Sequence, residues 1–182
     1  LFALIGAGIF ASPLIWLMLK DYQRKRLLVF LNPGADTLGS GYNVIQAKIA
    51  IGSGQLFGKG WLAGTQGQLK FVPEHHTDFI FSVLAEEWGF IGALVLLGLF
   101  AVFLLQALRV ARLARDMQGS LIAVGLTTVL AAQVLINLSV ASGILPATGI
   151  TLPLISYGGS SLLSTYCMIG ILMNIWSTRI VK

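Results

Sequence analysis

The sequence predicts an all-α membrane protein: a polytopic bundle of transmembrane helices with a long extracytoplasmic loop and a second, re-entrant or cavity-lining loop. Three observations carry this. Hydrophobic residues make up 56% of the chain, charged residues 10%, and the mean hydropathy is +0.85, which is more apolar than a water-soluble domain of this size can cover with polar surface. Four segments, 1–19, 88–108, 119–142 and 160–178, have the length and composition of spans, each near the ~20 mainly apolar residues a bilayer requires. The net charge of +5 is carried by Lys and Arg at the ends of these segments, where topology and anionic lipid explain it better than nucleic acid does.

The first segment, "LFALIGAGIFASPLIWLMLK", begins with Leu rather than Met and has no basic n-region or small-residue cleavage site to mark a signal peptide. The chain is expected to be part of a longer polytopic protein. Residues 20–77 follow as a polar, glycine-rich loop. The second segment ends in Arg109, Arg112 and Arg115 and the fourth in Arg179 and Lys182, whereas the short loop 143–159 has no Lys or Arg. By the positive-inside rule the arginine side is cytoplasmic, which places 20–77 and 143–159 outside. The seven basic residues of the long loop oppose this, but loops near 60 residues follow the rule poorly. Gln133 and Asn137, four residues apart on one face of the third segment, are expected to bond neighbouring helices. The single cysteine, Cys167, sits in an apolar run and reads as a small buried hydrophobe; it excludes a disulfide framework. The stretch "GILPATGITLPLISYGGSS" is too apolar for a solvated linker and too broken for a span, and such backbone persists at membrane depth only against protein or a wet cavity. Ser160 or Ser161 is expected near the N-cap of the last helix.

The chemistry concentrates at "VPEHHTDFIF". Both histidines of the chain and two of its seven acids fall within residues 74–78. Thr77 is a candidate N-cap for a helix beginning at Asp78. There the macrodipole favours the carboxylate while partial burial favours its protonated form, opposing effects that suit a general base. Glu86 and Glu87 lie ~12 Å or more farther along such a helix. That exceeds the ~5–9.5 Å between the paired carboxylates of glycoside hydrolases, so a two-carboxylate hydrolase is disfavoured. "HHTD" is a weak metal signal. In the same loop, "DYQRKR" brings Arg24 and Arg26 to the mouth of the first segment, and "AIGSGQLFGKGWLAGTQG" contains Lys59. Arginines and glycine-exposed N–H groups suit a pyrophosphate, although interfacial snorkelling and a flexible linker account for them equally well. The glycine spacing matches neither nucleotide fingerprint.

"PLISYGGSS" at 153–161, with "YQRKRLLVFLNP" at 22–33, "AIGSG" at 50–54 and "PEHHTDFIF…EEWGFIG", resembles the SEDS family of shape, elongation, division and sporulation proteins. The likeness covers essentially the whole chain and corresponds to the C-terminal half of such a protein. It implies a peptidoglycan glycosyltransferase of the bacterial inner membrane, acting at its outer face in elongation and rod shape. The implied substrate is the lipid-linked precursor lipid II. The implied partners are a class B penicillin-binding protein and other membrane proteins of the elongation complex. The family's catalytic aspartate falls on Asp78; Glu74, His76 and Thr77 line the site, and Glu86 and Glu87 support it. Ser156 and Tyr157 belong to the matching 153–161 motif. Arg24 and Arg26 match its basic motif, in which some members carry Arg where this chain has Gln23. The resemblance requires no nucleotide; a divalent cation, Mg or Mn, is a candidate cofactor. A lipid II flippase and a non-catalytic scaffold for the penicillin-binding protein are the competing classes.

Overall fold

The structure, a computed structural model, describes residues 20–32, 40–61, 63–64 and 78–178. The first apolar segment, 1–19, lies outside the described residues. All regular elements within them are helices: α1 Asp21–Leu31, α2 Ser40–Ser53, α3 Ile80–Leu113, α4 Met117–Ala141 and α5 Gly159–Ser177. Three of these, α3, α4 and α5, are long and apolar enough to cross a membrane.

The stretch expected as loop between residues 20 and 77 therefore holds two helices. At the start of α1 the side-chain Oε1 of Gln23 accepts from the Lys20 N–H at 3.0 Å, satisfying a donor that precedes the helical ladder. Helix α3 is longer than the apolar run that signals it, because hydropathy falls at its two ends. Glu86 and Glu87 occupy its N-terminal part, and Arg109 and Arg112 its C-terminal turns. A link at 114–116 turns the chain back into α4. There Asp116 is the N-cap and its Oδ2 accepts from the Gly119 N–H at 3.2 Å.

Ala107 and Ala111 of α3, Ala123 and Leu130 of α4 and Leu172 of α5 form one core, against which Phe103, Leu126 and Met168 pack. Small residues on facing helices let the backbones approach closely in the absence of a water-driven force between spans. A second cluster joins Leu96 and Phe100 of α3 to Val134 of α4 and to Leu152 of the irregular segment between α4 and α5. A third joins Ala47 of α2, Phe79 and Val140. The site is built around these last two. Cys167 is exposed on α5, which corrects its reading as a buried hydrophobe: an apolar surface that faces lipid selects the same residue types as a core.

Candidate functional site

Asp78 does not begin the helix. Asp78 and Phe79 form a turn and α3 starts at Ile80 with Phe79 as its N-cap, so the expected cap at Thr77 is displaced. The reason is local hydrogen bonding. The Phe79 carbonyl takes the first helical bonds, from the Ser82 N–H at 3.0 Å and the Ser82 hydroxyl at 2.6 Å. The carbonyl of Asp78 is taken instead by Asn137 Nδ2 at 3.0 Å. The same amide donates to the Ile150 carbonyl at 2.8 Å. Asn137 thus joins the entrance of α3 to the irregular segment through two backbone carbonyls, whereas the sequence points to it only as helix-to-helix glue. Asp78 is 8% exposed, and a Cβ placed on Gly149 would stand 3.8 Å from its Oδ2. The carboxylate therefore faces glycine backbone of the 142–158 segment.

That segment is held by polar side chains together with backbone turns. Ser142 Oγ donates to the Leu138 carbonyl at 2.6 Å, and the Leu152 N–H donates to Ser156 Oγ at 2.8 Å while the Ser156 N–H returns to the Leu152 carbonyl at 3.0 Å. Ser156 is buried and closes this turn; its neighbour Tyr157 is 78% exposed. Thr151 and Ser161 share a hydrogen bond at 2.6 Å. Gly158, not Ser160 or Ser161, is the N-cap of α5.

The glycine-dense run is neither linker nor open loop. It lies along α3, where the helix is interrupted at Gly89 (φ 68°, ψ −163°). The interruption frees backbone groups on both sides, and residues 55–60 take them up. Lys59 and Gly60 N–H donate to the carbonyls of Glu86 and Glu87, both at 3.0 Å. Phe90 and Ile91 N–H donate to those of Gln55 and Leu56 at 2.8 and 3.2 Å. Buried backbone groups need such partners, and here the partner is another stretch of backbone. Contact is close enough that a Cβ on Gly54 would strike the Ala85 carbonyl, one on Gly58 the Glu87 carbonyl, and one on Gly89 the Gly58 nitrogen. Glu86 is fully buried beside this joint, and its Oε1 accepts from Lys59 Nζ at 2.7 Å. Trp61 and Trp88 meet edge to face at 5.9 Å on the same joint.

The basic residues of α1 have distinct settings. Arg24 lies 3.9 Å from Asp21 one turn away. Arg26 Nη1 donates to the Ala147 carbonyl at 2.8 Å, reaching the irregular segment from α1. Arg26 and Lys48 line a cavity of about 20 Å³ against Gly143, Pro146 and Ala147. Glu74, His76 and Thr77 lie outside the described residues. Glu87 is half-buried at the joint. Among the described residues no three His, Cys, Asp or Glu side chains converge as a metal set.

The structure brings Asp78, Asn137 and Gly149 together at one end of the bundle and Lys59, Glu86 and Gly89 at the next joint down α3. Sequence reasoning missed the joint. Its signal was the matched glycine pattern of "GSGQLFGKG" and "EEWGFIG", which reads as backbone packing once both strings are set side by side.

Fold and site together define a bundle of membrane-length helices in which a buried carboxylate, Asp78, is set against broken backbone. The chain belongs to the FtsW/RodA/SpoVE family of cell cycle proteins, whose model matches residues 1–180. It is 51% identical over 168 residues to the peptidoglycan glycosyltransferase MrdB of Escherichia coli, covering 92% of this chain and 45% of that protein. It is similar throughout its length to one chain in a solved peptidoglycan synthase complex described as coordinating polymerization and crosslinking, at 35% identity and a TM-score of 0.78, covering 49% of that chain. The crystal structure of the rod shape determining protein RodA of Thermus thermophilus matches at 32% identity and a TM-score of 0.55, over 89% of this chain and 58% of that one. The chain spans about half the length of the curated relatives it matches.

Proposed function

We propose that the protein to which this chain belongs polymerises lipid II into glycan strands at the outer face of the bacterial inner membrane, with Asp78 as general base. The observation that carries this reading is the placement of Asp78: a carboxylate drawn almost wholly into the fold, outside the helical ladder, facing the glycine backbone of the 142–158 segment. A carboxylate held in a fixed position can act as a general base toward a hydroxyl brought within hydrogen-bond reach. The likeness to named peptidoglycan glycosyltransferases supports the reaction class.

In this mechanism Asp78 takes the proton from the acceptor sugar hydroxyl as that oxygen attacks the anomeric carbon of the donor. The bond from that carbon to the pyrophosphate oxygen breaks, and undecaprenyl pyrophosphate departs with the bonding electrons. The proton passes from Asp78 to solvent. Arg24 and Arg26 oppose the charge that grows on the leaving group; an arginine has five N–H donors, so Arg26 keeps donors beyond the one held by Ala147. By the family resemblance Glu74, His76 and Thr77 contribute to substrate binding and Tyr157, which is exposed, supports the site. A divalent cation acting here would be held by the donor's phosphates and one or two carboxylates rather than by a protein cage. The 142–158 segment lines the cavity that receives the sugars, and the apolar faces of α3 to α5 accommodate the lipid tails. The complete protein works beside a class B penicillin-binding protein and other membrane proteins of the elongation complex; the similar synthase complex supports such an assembly.

The test is lipid II polymerisation by the purified full-length protein carrying Asp78→Asn. The amide keeps the shape and cannot accept the proton, so turnover is expected to fall by roughly 10²- to 10⁴-fold with the fold retained. Glycan synthesis at the wild-type rate would remove Asp78 from the reaction, and lipid II transfer across vesicles without polymerisation would make the protein a flippase.

A further inference from the structure

We infer that Lys59 and Glu86 are positioning residues: a latch on a buried carboxylate that clamps the 54–61 segment onto the interruption in α3 and thereby fixes the direction in which Asp78 points. This rests on the reading of Asp78 as the base.

Glu86 has no solvent exposure, and Lys59, its side chain 31% exposed, pairs with it at 2.7 Å. The second carboxylate oxygen faces Gly64, where a Cβ would come within 3.0 Å of Oε2. Such a group is too enclosed to meet a sugar or a phosphate. It is also a costly one to bury without compensation, since a carboxylate without its cation strongly disfavours the folded arrangement. Its partner comes from the segment that splints the helix, and the splint is made by the adjoining backbone: Lys59 N–H to the Glu86 carbonyl and Gly60 N–H to the Glu87 carbonyl. Side chain and backbone of Lys59 thus grip the same residue of α3.

The interruption gives this grip leverage. Gly89 divides α3 into a long membrane-length part and a short part, 80–88, which Asp78 precedes by one residue beyond the N-cap. On either side of Gly89 the carbonyls of Glu86 and Glu87 and the N–H groups of Phe90 and Ile91 bond residues 55–60, so the joint leans on that segment. At 1.5 Å per residue Asp78 stands ~16 Å from Gly89, so a swing of about 4° at the joint moves the carboxylate by roughly 1 Å. Misplacement on that scale is enough to slow a positioned reaction by about 10²-fold. At its far end the short part is tied by the Asn137 bond to the Asp78 carbonyl. The latch supplies the second fixed point.

The test uses the full-length protein, reading lipid II turnover, donor KM and amide hydrogen exchange in Lys59→Met, Lys59→Arg, Glu86→Gln and the double variant Lys59→Met/Glu86→Gln. The latch expects Lys59→Met to lower kcat by about 30- to 100-fold with KM within about twofold. Lys59→Arg, which keeps the cation, is expected to restore kcat to within about threefold, and Glu86→Gln, whose amide oxygen still accepts from Lys59, to fall between. The double variant is expected to be no slower than Lys59→Met, because residues acting as one unit are not additive. In Lys59→Met the amides of Lys59, Gly60, Phe90 and Ile91 are expected to exchange about tenfold faster. A tenfold rise in KM at unchanged kcat would make Lys59 a donor ligand and overturn the latch, as would unchanged exchange at those four amides. Should Lys59→Met fail to fold, the Arg and Gln variants still decide through kcat and exchange. If the wild-type protein does not polymerise lipid II, the functional reading falls, while exchange still decides whether the latch exists.

Discussion

Among the described residues helix gives way to irregular backbone at Gly89 and again between α4 and α5, and side chains take a much larger part in holding the second. At Gly89 the freed N–H and C=O groups of α3 pair with the backbone of residues 55–60. Between α4 and α5 the broken segment 142–158 is held by side chains: Asn137, Ser142, Ser156 and the Thr151–Ser161 pair. Backbone-to-backbone repair needs two chains in close approach, so it selects glycine and is indifferent to polar side chains. Side-chain repair selects Asn, Ser and Thr. The backbone repair sits at the joint that aims Asp78, and the side-chain repair faces the carboxylate itself.

Adding one methyl group at the first break separates these two modes most sharply. Gly89→Ala places a Cβ against the Gly58 nitrogen at a backbone conformation that only glycine adopts freely. Strain and overpacking of about 1–3 kcal/mol each bring the expected loss of stability to roughly 2–6 kcal/mol. Thermal unfolding or abundance of the full-length protein in membranes checks this, and a loss under about 1 kcal/mol would mean that the joint is loose.

A smaller effect is expected from removing the side chain that serves the second break. Asn137→Leu is close in size and leaves the carbonyls of Asp78 and Ile150 without their donor. With about 1–3 kcal/mol for each unsatisfied buried group, the expected loss is roughly 2–4 kcal/mol, since water recovers part of it. Because one of those carbonyls belongs to Asp78, kcat should fall in the folded fraction as well. Unchanged turnover in stable Asn137→Leu protein would detach the second break from the site.

Least is expected of Gly159→Ala, in the first turn of α5. A Cβ there meets nothing within 4 Å, and the backbone is helical. Reduced freedom of the unfolded chain should stabilise by about 0.4–1 kcal/mol. A destabilisation comparable to that of Gly89→Ala would show that the start of α5 is packed as closely as the joint at Gly89.

Much of this was open to reading in the sequence. Apolar length alone marks α3, α4 and α5, since a span is a local property of about 20 consecutive residues. The concentration of rare residues at 74–78 marks Asp78, and the isolated Asn137 in an apolar helix marks a buried hydrogen bond. The helices α1 and α2 were less legible because their composition is mixed and their stability comes from packing rather than propensity.

What the tertiary structure alone decided are the pairings. Asn137 meets Asp78 across 59 residues, Arg26 meets Ala147 across 121, and Lys59 meets Glu86 across 27. No periodicity encodes a partner at such distances. The sequence by itself determined that Asp78 is unusual and that α3 spans; it left α3 starting two residues early and running unbroken. Whether a carbonyl enters the helical ladder or bonds a distant amide, and whether glycines form a linker or a splint, depends on which groups the packed chain brings within 3 Å, and a backbone hydrogen bond carries no side-chain signature in either partner.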